Sequence, residues 1–245
     1  MGLGIGIRPG VVDFKREIAS AGSYPTDGLI ARWTFDSTLG NSYGRPITLA
    51  IKTGTVDFST GKIGNCAVFD GTNGVYTNDT SILTIFQARN QWSVSFWGVM
   101  DASRTGSGKH YFWSCSKNAD QYPYTRSQVA SIADGLDINT VRFQSSPKIN
   151  QTTPVSKPGP VNWFHFASTF DGTRVKDYLN GSLVGTSGDD TDNMGTSNNE
   201  FGIGYRPQSS NNIFKLIGKI DTMYVYNKAL SSSEVAQLWN GGKGI

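Results

Sequence analysis

Apolar and polar residues alternate with a period of two in several short runs along this chain. Helical spacing appears near its end, and a short helix-compatible run, Val11 to Ala19, near its start. In GLIARWTFD (28–36), Leu29, Ala31, Trp33 and Phe35 share one face and Arg32 and Thr34 the other, the pattern of a strand buried on one side. A second strand is predicted within GKIGNCAVFDG (61–71), closed by a glycine turn. From Trp92 to Met100 both faces are apolar: Val94, Phe96 and Met100 lie on one side, Trp97 and Val99 on the other. A strand covered on both faces belongs in the centre of a sheet.

The stretch WFHFASTFDGTRVKDYLNGSLVG (163–185) predicts three strands joined by tight turns at Asp171-Gly172 and Asn180-Gly181. Two-residue hairpins need positive φ at both central positions, which Gly adopts freely and Asx tolerates. The result is an antiparallel meander in an all-β chain. A last strand is predicted over 218–226, followed by a short helix. Ser231 and Glu234 form a capping box, Leu230 is placed to staple onto Val235, and Val235, Leu238 and Trp239 share one helical face. Gly241-Gly242 ends the helix. Four prolines between Ser145 and Pro160 mark that stretch as a loop, because Pro cannot donate to a ladder. Residues 1–26, rich in glycine and charge, are assigned as an N-terminal arm, and residues 27–245 as one sandwich.

Composition narrows the function. A chain of 245 residues with 37% apolar and 12% aromatic residues can fill one large core, and 29 glycines suit many turns. The net charge of +3 is spread thinly, with no basic run beyond Lys15-Arg16, so no nucleic acid partner is expected. No window approaches the length of a membrane span. The opening MGLGIGIRPG lacks the charged and apolar regions of a secretory signal. Cys66 and Cys115 are too few for a disulfide scaffold and are expected as reduced core residues.

Four blocks in order, 28–36, 61–71, 92–100 and 163–185, resemble the laminin-G-like jelly roll of the concanavalin A-like lectin/glucanase superfamily, whose meander reads W-H-H-V-A-V-T-Y-D-G … Y-V-N-G. A fifth, GKIDTMYVYNKALSSSEVAQLWNGG (218–242), is similar to the family's C-terminal strand and helix. The resemblance implies a two-sheet antiparallel β-sandwich with a short C-terminal helix, in a family of lectins, adhesins and glycosidases. Asp177 stands where the family has a large aliphatic residue, so its strand is expected to be less buried than usual, or its face adapted for a partner.

Enzyme chemistry is not expected. Glycosidases of this superfamily use paired carboxylates within Glu-x-Asp-x-x-Glu, whereas the only glutamates here, Glu17, Glu200 and Glu234, are far apart. Asp134 and Asp137 flank what reads as a turn at Gly135. His165 occupies a family position and is expected as a hydrogen-bonded imidazole of the sandwich. Neither it nor His110 accompanies a nucleophile elbow.

Two kinds of ligand site are expected. By resemblance, a structural calcium would join Asp36, the Asp70-Gly71 turn and Asp221, since such ions need several converging oxygens. A glycan would find aromatic faces beside polar groups in two loops, at Tyr122, Tyr124 and Arg126 and at Tyr205 and Arg206. The leading expectation is a non-catalytic surface protein of a phage virion, carried on the particle and tied by its arm to a virion partner, adhering to glycans or neighbouring subunits. The alternative is a carbohydrate-binding module of a secreted or cell-surface bacterial protein, with an atypical glycosidase as a third reading.

Overall fold

The computed structural model describes residues 23–100, 109–116, 124–132, 135–143, 147–156, 162–190, 200–206 and 216–245. The first strands are β1 (Leu29–Trp33), β2 (Ala50–Thr53), β3 (Asp57–Thr60), β4 (Asn65–Asp70) and β5 (Gly74–Thr77), followed by the single-turn helix α1 (Thr80–Leu83). Then come β6 (Trp92–Met100), β7 (Lys109–Ser116), β8 (Tyr124–Ile132), β9 (Gly135–Phe143) and β10 (Pro147–Ser156). The chain closes with β11 (Phe164–Phe170), β12 (Val175–Leu179), β13 (Ser182–Thr186), β14 (Glu200–Ile203), β15 (Ile217–Tyr226) and helix α2 (Ser232–Trp239).

These strands build two antiparallel sheets. The first runs β13-β12-β11-β6-β15-β4-β3, with β1 also on β15; the second runs β10-β9-β8-β7-β14-β5-β2. Between them lies an aromatic interior that includes Trp33, Phe86, Trp92, Phe96, Trp113, Phe166 and Phe201. A second cluster lies on the outer face of the first sheet, where Val235 and Leu238 of α2 cover Ala167, Tyr178, Tyr224 and Tyr226. As its pattern predicts, β6 is central, buried throughout between β11 and β15.

The end of the chain follows its sequence signals. Ser231 and Glu234 form the capping box, and Leu230 is buried in one cluster with Val235. Both cysteines are buried and unpaired. Asn180 and Gly181 take positive φ, 49° and 78°, in the β12–β13 turn. A Cβ on Gly181 would lie 2.8 Å from the indole of Trp239, so the turn and α2 pack on each other.

Several expectations need correction. The proline-rich stretch contains β10, paired with β9 from Pro147 to Ser156. As an end strand of its sheet, β10 tolerates residues that cannot donate outward. The Asp171-Gly172 connection is a four-residue loop between Phe170 and Val175, folded by Asp171 Oδ1 accepting the N–H groups of Thr173 and Arg174. Leu29 leaves the face of Ala31 and Trp33 for the outer cluster, because the β1–β15 register shifts between Leu29 and Ala31. Asp177 is fully buried rather than exposed. Its Oδ1 accepts a hydrogen bond from Thr140 Oγ1 at 3.0 Å, linking β12 to β9 of the opposite sheet.

Most of the assigned arm lies outside the described residues. Its described end docks on the first sheet: Tyr24 packs against Tyr224, and Pro25 O accepts from Tyr226 OH at 3.0 Å. Among the described residues no helix is long and apolar enough to cross a membrane.

Candidate functional site

The two sheets present very different outer faces. That of the first is covered by α2, while α1 buries Ile82 and Leu83 in the interior. Neither helix lies on the outer face of the second. There Phe201 points inward, and the alternate positions Glu200 and Gly202 pair with Ser116 and Ser114 of β7. On the other side Gly202 pairs with Tyr76 of β5, which is followed by Ala50 of β2.

Tyr205 is laid across this face. A Cβ on Gly74 would meet its ring at 2.5 Å and one on Gly202 at 2.9 Å, so two glycines make the bed in which the ring lies. The expectation that Tyr205 presents a free ring to a sugar is therefore wrong, since the residue is 1% exposed. Its hydroxyl donates to Glu200 Oε1, and its carbonyl accepts from Ser114 Oγ at 3.0 Å. Burial and the adjacent Glu200 push the phenol far above its ordinary range, so Tyr205 stays a hydrogen-bond donor.

Glu200 Oε2 accepts from Lys52 Nζ at 2.6 Å, and that ammonium also lies 4.9 Å from the centroid of the Tyr76 ring. The Glu200 side chain is 13% exposed and that of Lys52 is 38%. Beside them Ser116 Oγ is buried, with no hydrogen-bond partner among the described residues. Neither Lys52 nor Glu200 carries a local motif. Their pairing depends on β14 returning next to β5 and β2, which no sequence spacing reveals.

The remaining glycan candidates divide. Arg206 is buried at the other end of β14, with its guanidinium carbon 6.0 Å from the Tyr111 ring centroid. Tyr124 and Arg126 belong to β8, at register positions opposite Ser116 and Ser114, so the backbone brings them to the same sheet. Tyr122 lies outside the described residues.

The expected calcium set does not assemble. Asp36 and Asp221 do converge, on the turn between β3 and β4. Asp36 Oδ1 accepts from Asn65 N at 2.7 Å, and Asp221 Oδ2 accepts from Lys62 N at 2.7 Å and Ile63 N at 2.8 Å. Asp70 and Gly71 lie at the opposite end of β4, about 17 Å away at strand spacing. There Asp70 Oδ1 is engaged by the N–H and hydroxyl of Thr72. Asp221 Oδ1 is engaged as well, by Thr222 Oγ1 at 2.8 Å. Oxygens that already accept direct hydrogen bonds and are split between two ends of a strand do not fit one hard cation. Among the described residues no three His, Cys, Asp or Glu side chains form a group that could hold a metal.

His165 is the expected structural imidazole. It is buried, with Nε2 2.8 Å from Ser95 Oγ, and burial lowers its pKa to about 3. It is therefore neutral at any physiological pH. Asp137 sits in β9, paired with Ala130 and Pro154, and Asp134 lies outside the described residues.

Two antiparallel sheets in this order, with the meander and the capped terminal helix, define a β-sandwich of the lectin type. More narrowly, a laminin G family model of the concanavalin A-like lectin/glucanases superfamily matches residues 69–236, and the chain belongs to that family. No curated protein matches the chain in sequence. Among solved structures it is similar to domain 4 of AbnA, a GH43 extracellular arabinanase from Geobacillus stearothermophilus, in complex with arabinotriose. Identity is 26%, the TM-score 0.63, and the match covers 85% of this chain and 96% of that one. The botulinum neurotoxin serotype C1 binding domain is 15% identical with a TM-score of 0.65, covering 87% of this chain and 52% of that one. The serotype D binding domain is 14% identical with a TM-score of 0.66, covering 88% and 52%. This chain thus spans about half the length of the toxin domains, and with them it shares the fold.

Proposed function

We propose that the protein is a non-catalytic glycan-binding module that takes its ligand on the outer face of the second sheet. The observation that carries this reading is the match to nearly the whole of an arabinanase domain that is itself seen with arabinotriose. Matching a separate domain of a larger enzyme, rather than a catalytic core, favours binding over hydrolysis. The residues agree with that division of labour. Glu200 is held by Tyr205 and Lys52, and Glu234 by its capping box and by Lys228, which it shares with Asp27, so both glutamates are tied into structural contacts rather than free for acid–base work.

The likeness supports a carbohydrate-binding module of a secreted or surface protein over a virion component. The virion reading uses the arm as its attachment element, and residues 1–22 lie outside the described residues. Calorimetric titration against a panel of arabino-, xylo- and galacto-oligosaccharides tests the reading, alongside assays for release of reducing ends. Saturable binding without hydrolysis is expected. Failure to bind any member, or hydrolysis abolished by a single carboxylate substitution, would overturn it.

A further inference from the structure

On the outer face of the second sheet, we infer that the Lys52–Glu200 pair is the polar anchor for the glycan and that it selects a neutral sugar. This rests on the glycan-binding reading above and adds the anchor and the ligand class. Two observations carry it. The first is that the pair is built to stay in place. Gly74 and Gly202 leave room for the Tyr205 ring, Tyr205 OH fixes one oxygen of Glu200, and Lys52 Nζ fixes the other at 2.6 Å. A buried tyrosine seated on two glycines orients a carboxylate that reaches the surface through its partner, with 38% of the Lys52 side chain exposed.

The second observation is the balance of donors and acceptors. A carboxylate has about four acceptor positions and an ammonium three donors. The contacts described occupy two acceptor positions and one donor. A sugar hydroxyl is both donor and acceptor, so neighbouring hydroxyls can give one proton to Glu200 and take one from Lys52 at once. The charges of the pair cancel. An acidic sugar brought to Lys52 would have to set its carboxylate beside that of Glu200, a like-charge contact that lowers affinity. Arg206 is turned toward Tyr111, five residues along β7 from the Ser116 that pairs with Glu200, with its guanidinium carbon 6.0 Å from that ring's centroid. Tyr76, whose ring already lies beneath the ammonium, lends apolar surface to the same spot.

The test uses the full chain and its Lys52→Met and Glu200→Gln variants, each checked for an unchanged far-UV spectrum and a cooperative melt. Arabinotriose, xylotriose and galactotriose serve as neutral probes and sialyllactose as the acidic one, all followed by calorimetry. The wild type should bind at least one neutral probe and prefer it to sialyllactose. Each variant should bind that neutral probe about tenfold or more weakly, the scale set by losing a hydrogen bond to a charged group. A wild type that prefers sialyllactose overturns the neutral class. Folded variants that bind the neutral probe within twofold of wild type overturn the anchor while leaving the glycan-binding reading intact. A wild type that binds no probe overturns both.

Discussion

Asp221 offers a test in which both the sign and the size of the effect follow from its surroundings. Its carboxyl is buried where β15 changes partner: residues Ile217 to Ile220 pair with β4, and Met223 to Tyr226 with β1. Burial pushes its pKa up to about 6, against hydrogen bonds from Ile63, Thr222 and Lys62, and nearby Asp36 adds to the rise. An unfolded aspartate titrates near 3.8. The folded state therefore holds the proton more tightly by about 2 pH units, worth about 3 kcal/mol. Below pH ~3 the group is protonated in both states and burial carries no charge penalty. As pH rises from ~4 to ~6 the unfolded chain releases its proton first, and stability falls. Above ~6 the loss is complete and the contribution is flat. Other carboxylates act the opposite way. Asp70, through its hydrogen bonds to Thr72, and Asp189, through Arg174, are held below their ordinary values. The wild-type profile alone therefore mixes signs. Asp221→Asn isolates one group, since an amide oxygen can still accept from Lys62 and Ile63. Urea unfolding of both proteins at pH 4, 5, 6 and 7, with EDTA throughout, gives the difference in stability. Wild type minus variant should drop by about 2.5 kcal/mol between pH 4 and pH 7. A flat difference, or one that rises with pH, would mean that the turn favours the charged carboxylate, and the reasoning would fail.

Phe166 is fully buried among the interior aromatics, so Phe166→Ala should cost about 3–5 kcal/mol in denaturant unfolding. Trp163, which is only half-buried, should cost less on the same substitution; equal losses would show that the burial is misassigned. Ser231→Ala removes the side-chain cap of α2 and should cost about 1 kcal/mol, with a loss near zero contradicting the capping box.

The fold was largely legible because its signals are local. The period-two runs at 28–36 and 92–100, the Asn180-Gly181 turn and the Ser231–Glu234 box each specify a backbone shape within a few residues. What stayed hidden depends on position in the sheet. Prolines read as a loop because nothing local says that β10 ends its sheet, where an absent N–H is harmless. Asp177 read as exposed because its partner, Thr140, belongs to the other sheet. The candidate site was less legible still. Tyr205 was found for its aromatic ring, but its role is set by Gly74, some 130 residues earlier, and by Glu200. Lys52 and Glu200, in strands separated by most of the chain, meet only in the finished sheet.

The placement of β15 has a consequence for how the molecule is made. It is the last strand in the chain, yet it lies in the interior of the first sheet, flanked by β6 along one side and by β4 and β1 on the other. During synthesis β6, β11 and β12 can assemble as a partial sheet, but β6 keeps one open edge until residue 226 has left the ribosome. β1 must wait nearly 200 residues for β15, its one partner among the described strands. Such long-range closure favours slow folding. The nascent chain must meanwhile carry an unpaired, apolar edge at β6, which exposes it to mispairing with other chains. Trimming the chain from its C-terminus into β15 would split this sheet through its middle rather than shorten it at a border.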